Sequence, residues 1–356
     1  MHTVLKVVAV LIGLFLLFIY FRSIVRIMLL NRRERDFVAR FAGLAAIAVL
    51  HALVGDGRDH DRVQRIQAWM MPLYIFISVV CWFLLVQFAF MFILVGTGVE
   101  SRWAYAFSVS GSALSTLGFA TPPGLLGQYL AIFEAGIGLA IVILLFTFVP
   151  SYQAAIQVRE RRVGWLYSRT GQHPNAVSLL EAQLRAGQPN DSDWEDWEAW
   201  FRGMLETHTL SPILCFVPSI YRGTNWVGAA AAVLDTTSLV MAALDPERTN
   251  GARLCRETGV LAVRMVATEV AGSERVLTQE IERADTLPGF GRVYERLTEL
   301  GLPVTASEGQ CRETFIRLRS EYEPSLRYIS KTTLMPIEPT TASRPKGAPG
   351  LESSIA

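Results

Sequence analysis

The sequence predicts an all-α membrane protein: an N-terminal transmembrane helix, a two-span domain enclosing a short re-entrant loop, and an α-helical cytoplasmic domain. Three observations lead there. Hydrophobic residues make up 51% of the chain and charged residues 18%, against about 25% charged in an ordinary soluble domain. The shortfall in charge falls almost entirely before Pro150, whereas the remainder has globular composition and, at roughly 200 residues, the length to build its own core. Two apolar runs, Trp69 to Val95 and Leu126 to Val149, are each long enough to cross a hydrocarbon layer of about 30 Å. Net charge is +1, so no global field points to a nucleic-acid partner; the lipid bilayer is the partner the composition demands.

The first run, Val4 to Tyr20, is apolar apart from Lys6. It exceeds the usual apolar core of a signal peptide and lacks a small-residue cleavage site, which favours an uncleaved helix within residues 1–30. A basic segment follows in residues 31–68, with an apolar stretch, Phe41 to Val54, that falls short of the roughly 20 residues a span needs. Arg22, Arg26, Arg32, Arg33, Arg35 and Arg40 precede that stretch, and Arg159, Arg161 and Arg162 follow the last span. The positive-inside rule places both clusters in the cytoplasm. An external N-terminus, with Phe41 to Val54 as an elbow on the inner surface, satisfies both, so three spans are preferred to four.

Between the two long runs the chain reads GTGVESRWAYAFSVSGSALSTLGFATPPGLLGQ. Ser101 to Ser115 has the pattern of a short helix with Ser101 as N-cap. It is too short and hydroxyl-rich to span, yet too apolar for a free loop, and a re-entrant half-helix fits. Irregular backbone at membrane depth is tolerated only where protein buries it or water lines it. After it come Ser115, Thr116, Leu117, Gly118, Phe119, Ala120, Thr121 and Pro122. A filter that replaces an ion's water with carbonyl rings needs glycine where the backbone must turn left-handed.

This span, half-helix, filter and span order resembles the pore domain of the potassium-channel superfamily, whose filter reads T-V-G-Y-G and then an acid. Thr116, Leu117, Gly118 and Phe119 correspond to T-V-G-Y. The chain also resembles a large bacterial group of ion-channel-like membrane proteins with a helical cytoplasmic domain, in which the inner helix ends at a proline followed by basic residues. Here these are Pro150 and Arg159-Glu160-Arg161-Arg162. The resemblance implies a pore-loop domain over 69–150: outer helix 69–95, pore helix 101–115, filter 115–122 and inner helix 126–149. It implies a homotetramer in the bacterial inner membrane, with no cofactor beyond a permeant K⁺ or other monovalent cation. The filter residues would be Ser115, Thr116, Leu117, Gly118, Phe119 and Ala120. Two departures stand out: Ala120 occupies the second glycine position, where a positive φ would cost an L-residue energy, and Thr121-Pro122-Pro123 replaces the acid.

Other residues carry weaker signals. Glu134, about two turns into the last span, would face the pore as a cation site or brace the pore helix through its hydroxyls or Trp103. Gly136 and Gly138 would serve as a gating hinge or, more commonly, as close-packing positions. Residues 151–335 read as helical, with apolar spacing at Ala176, Leu179, Leu180 and Leu184 and an aromatic stripe at Trp194, Trp197, Trp200 and Phe201. That stripe is expected to be a core face or a seat against the membrane. Trp226 to Leu244 is apolar enough to suggest a span, but Asp235 argues for a buried helix of the soluble domain. Further helices are expected near Ser273 to Thr286, Gly291 to Leu300 and Glu308 to Thr333. Residues 336–356 are expected to be a disordered tail. The four cysteines have no CxxC spacing and read as reduced structural thiols. No catalytic fingerprint is present, and no spacing singles out the Ser-His-Asp triad that a membrane-bound hydrolase using His208 or His173 would need. A second reading stays open: a non-conducting membrane sensor or scaffold, whose helical domain binds a cytoplasmic protein or small-molecule regulator.

Overall fold

The computed structural model describes residues 2–26, 36–55, 60–171, 173–185, 191–272 and 289–337, and among these the regular structure is entirely helical. Arg32, Arg33 and Arg35, the helix expected over Ser273 to Thr286, and all of the expected tail but its first two residues lie outside the described set. The chain divides into two compact units, Met1–Leu53 with Trp69–Gln153 and Val54–Ala68 with Ala154–Ala356. Five of the helices are long and apolar enough to cross a membrane. Four of these are α1 (His2–Ile24), α2 (Phe37–Val54), α4 (Met70–Thr97) and α6 (Gly124–Thr170), and they mark a membrane-embedded protein.

In the first unit, α1 and α4 run antiparallel. A Cβ on Gly13 would lie 2.6 Å from the Ala89 carbonyl oxygen, and one on Gly96 would lie 2.7 Å from that of Lys6. Near the other end of α1, the Trp82 indole Nε1 donates to Ser23 Oγ at 3.0 Å. As the number rises along α1 it therefore falls along α4. Between apolar helices in lipid no hydrophobic driving force operates, so close backbone approach at small residues and buried polar contacts hold the pair. Tyr20, Trp82, Val86, Ala89, Phe90 and Ile93 fill the seam.

Helix α2 starts at Phe37, four residues before the expected Phe41. The cause is Asp36, whose carboxylate accepts the Ala39 N–H at 3.0 Å and the Ser23 hydroxyl at 2.9 Å. That is an N-cap satisfying one of the helix's orphan donors, tied at once to the end of α1.

The sequence placed the end of the last span at Val149; instead α6 continues through Pro150 to Thr170. A proline removes one helical hydrogen bond. The carbonyl left without a helical donor is that of Phe146; the neighbouring hydroxyls bond others, Thr147 that of Ile143 at 2.9 Å and Ser151 that of Phe148 at 2.8 Å.

The second unit holds α3 (His60–Gln67), α7 (Ala176–Arg185), α8 (Asp191–Leu210), α9 (Trp226–Ala243), α10 (Asn250–Ala271), α11 (Phe290–Glu299), α12 (Glu308–Arg319) and α13 (Glu323–Thr333). Helix α9, the fifth apolar candidate, is the central strut: 94% of its most apolar window is buried inside the protein. Asp235, 3% exposed, accepts the Tyr322 hydroxyl at 2.6 Å and pairs with Arg319 at 3.3 Å. The carboxylate that argued against a lipid span thus has its partners in the domain core. Trp194, Trp197, Trp200 and Phe201 are all buried, so the aromatic stripe is a core face. The helix expected from Glu308 to Thr333 is broken after Arg319, because Pro324 opens a new helix within its first turn.

Candidate functional site

Helix α5 (Trp103–Leu114) connects the two long helices of the first unit and packs on α4. Ser101 was expected to cap it. The cap position falls instead on Arg102, which makes no side-chain cap bond, while the Glu100 carboxylate accepts the Ser101 and Arg102 backbone N–H groups at 3.0 Å each just before the helix. A full negative charge at the positive end of a helix is worth more than a hydroxyl dipole. Trp103 sets its ring edge-on to Phe92 of α4, with centroids 5.3 Å apart.

Three polar residues fix α5 against its neighbours. Gln87, the amide inside the α4 apolar run, donates to the Phe107 carbonyl at 3.1 Å. Its side chain is admitted by Gly111, where a Cβ would stand 2.5 Å from the Gln87 amide nitrogen. The Ser110 hydroxyl lies between the Gln87 backbone carbonyl, 3.0 Å away, and Glu134 Oε1 of α6, to which it also bonds. Glu134 is 1% exposed, and its recorded partner is a hydroxyl of α5 rather than Trp103. Gly138 sits one turn further along α6, where a Cβ would meet the Leu114 carbonyl oxygen at 2.0 Å; Gly136 faces open space. The two glycines are therefore unlike: Gly138 is a packing position and Gly136 is not.

Beyond α5 the backbone turns twice into the left-handed region, at Thr116 (φ 58°) and Gly118 (φ 71°). Ala120 does not join them. The strain expected at Ala120 is absent and falls on Thr116, a β-branched residue for which this conformation costs about 1–2 kcal/mol. Ser115 caps the helix, its hydroxyl donating to the Gly111 carbonyl at 2.6 Å. The segment is then held back against the end of α5: the Thr116 N–H donates to the Ala113 carbonyl (2.9 Å) and the Gly118 N–H to that of Ser112 (3.3 Å). The Ala120 N–H donates to the Ser112 hydroxyl at 2.9 Å. Ala120 also packs beside Leu94, Ala106 and Val109, whereas Leu117 and Phe119 are 72% and 67% exposed on the single chain.

Sequence alone singles out neither Gln87 nor Gly111, and Ser112 figures in it only as one of several hydroxyls of the half-helix. Gln87 left a signal, an amide alone in a 28-residue apolar helix. Ser112 left none, because its neighbours Ser108, Ser110 and Ser115 look the same.

The second unit has its own buried polar centre. Arg159, counted in sequence among the membrane-orienting cations, is buried instead. Its guanidinium donates to Glu160 (2.7 Å) and to the carbonyls of Leu214 (3.0 Å) and Val217 (2.9 Å), with His208 Nε2 at 3.3 Å. An arginine only donates, so His208 Nε2 is the acceptor and Nδ1 carries the proton toward Thr207 Oγ1, 2.8 Å away. Burial first, and the adjacent Arg159 charge second, hold His208 well below 6.5. Both ring nitrogens are thereby committed. Cys215 and Cys311 are free thiols that burial pushes up to about 12 and about 11, far from the reactive range. Among the described residues no group of three His, Cys, Asp or Glu side chains could hold a metal ion.

No family model matches the chain, no curated protein matches it, and no solved structure matches it.

Proposed function

We propose that the protein is a pore-loop channel for monovalent cations, working as a homotetramer in a bacterial inner membrane with the helical domain in the cytoplasm. The observation that carries this reading is the segment from Ser115 to Ala120. It follows a helix too short to span, alternates left-handed backbone at Thr116 and Gly118, and is fastened by its N–H groups to that helix. A loop built merely to connect two helices has no need of strain at a threonine, and strain of this kind gathers at functional sites. One such segment cannot enclose an ion. Symmetric copies around an axis can, and Leu117 and Phe119, exposed on the single chain, would then lie among neighbouring subunits.

The full-length protein should purify as a tetramer and, in liposomes, pass K⁺, Na⁺ or Rb⁺ above protein-free background. Gly118→Val should abolish that flux while preserving the tetramer, because a β-branched residue resists φ 71°. A monomer or dimer, or wild-type liposomes without flux, would leave the membrane-anchored sensor or scaffold as the reading to pursue.

A further inference from the structure

We infer that the loop at 217–225 of the second unit docks on the bilayer: Ile220 and Tyr221 enter the interfacial layer, and Arg222 with its neighbours selects anionic headgroups. The inference requires a membrane-embedded chain, not a conducting one. The loop leads into α9, and side chains of two helices fasten its backbone. Gln64 of α3 donates to the carbonyls of Ser219 and Tyr221 at 2.8 Å each, which spends both N–H groups of its amide. From α6, Arg159 donates to the Val217 carbonyl at 2.9 Å and Glu160 accepts the Ile220 N–H at 3.3 Å. The Tyr221 ring passes Gly164 of α6, where a Cβ would stand 3.8 Å from it. Held this way, the loop presents Ile220 at 65% and Tyr221 at 60% exposure, with exposed Arg222 next. Scattered apolar side chains on a surface mean little, but two in succession on a pinned backbone cannot swing inward to escape water.

What covers the pair follows from where the holding helices lead. Met70, the first residue of α4, comes six residues after Gln64, a reach of at most about 21 Å. Glu160 comes ten residues after Pro150 in α6, about 15 Å of helix. Two separate tethers therefore keep the loop close to the points where the chain enters the membrane. Charge agrees with that neighbour. Arg65, Arg161 and Arg222 are exposed, and each adjoins in sequence a residue that holds the loop or shows on it. Asp61 and Arg62 on α3 cancel in net charge, and Glu160 is buried in its pair with Arg159. An arginine near an anionic membrane surface adds about fivefold in affinity, and tyrosine, with one apolar and one wet end, is a residue type of the interface. A protein partner would look for hydrogen bonds, and the loop's backbone groups at Val217, Ser219, Ile220 and Tyr221 are already engaged. Lipid asks for none.

The test uses the full-length protein in a cysteine-free background, with Ile220→Cys carrying a bimane label. It is reconstituted in phosphatidylcholine liposomes of rising phosphatidylglycerol content, with and without bromine on the acyl chains. Brominated lipid should quench the Ile220 label, increasingly with phosphatidylglycerol, while a label at Arg317→Cys, exposed on α12, keeps its emission. Adding Arg222→Gln should raise the phosphatidylglycerol fraction at half-maximal quenching by about twofold. No quenching at Ile220, or equal quenching at Arg317, would overturn the docking. Shielding of the Ile220 label from aqueous iodide without quenching by brominated lipid would also overturn it, because a second copy of the chain would then cover the pair. Quenching that ignores phosphatidylglycerol and Arg222→Gln would overturn the headgroup selection. Ion flux is not read, so the channel reading stands or falls separately.

Discussion

At the residue scale, Thr116 and His208 each hold a state that the free side chain disfavours. Thr116 sits at φ 58°, and glycine there would relieve about 1–2 kcal/mol of strain. Thr116→Gly should therefore raise the melting temperature in detergent while reducing flux, because the gain comes from loosening the segment that the ion must meet; a variant both less stable and fully conducting would contradict this. His208 is the opposite kind of case, buried and neutral against Arg159, with Glu160 on the far side of the guanidinium. Its folded-state value lies well below 6.5, so the unfolded chain takes up a proton that the folded one refuses. Stability is then complete above about pH 6.5 and falls as pH drops below it, by up to about 1.4 kcal/mol per pH unit until the folded value is reached. Denaturant unfolding of the full chain between pH 7.5 and 5, followed by tryptophan fluorescence, should show this slope, since Trp226 packs on the His208 ring at 5.5 Å. His208→Gln, which does not titrate, should flatten it.

At the scale of elements, hydropathy alone located α4 and α6, because a long apolar run flanked by glycines and charges permits few other readings. Their ends were less legible. Asp36 caps α2 through a hydrogen bond that no period of hydrophobicity records, and Pro150 lies inside α6 where a proline in sequence reads as a stop. Glycine meaning was equally hidden: Gly136 and Gly138 look alike in sequence, yet Gly138 touches the end of α5 and Gly136 touches nothing. Gly138→Ala would drive a methyl against the Leu114 carbonyl, so α5 and α6 must separate, at a cost of about 1–3 kcal/mol. Gly136→Ala should be neutral or stabilising by up to about 1 kcal/mol, through helix propensity. Thermal unfolding in detergent, read beside flux, separates the pair. If Gly136 were a gating hinge, its alanine variant would alter flux without lowering the melting temperature. The candidate filter segment was readable as a motif, but its anchor was not, since any of the three serines in α5 could have supplied the hydroxyl that Ser112 presents.

At the scale of the whole molecule, the antiparallel packing of α1 and α4 decides how often the chain crosses the bilayer. Lys6 lies at the end of α4 that leads into the candidate filter, and Ser23 lies deep along α4 toward its start. If both helices cross, the end of α1 and the start of α4 share one side of the membrane. The chain between them must then cross an even number of times. Helix α2 is the only helix among the described residues of that connection long and apolar enough to cross, and one helix crosses once. It therefore stays on the side where α1 ends, despite its 18 apolar-rich residues. This is a parity argument, independent of the arginine count that also favours three spans. It predicts that the N-terminus and the Ser115–Ala120 segment face the same compartment, outside, and that residues 55–68 face the other. Single cysteines in a cysteine-free background, at Thr3, Thr121 and Arg62, should label accordingly with a membrane-impermeant maleimide in intact cells: the first two react and the third does so only after permeabilisation. Labelling at Thr121 without Thr3 would mean that α2 crosses and that α1 and α4 do not pack as described.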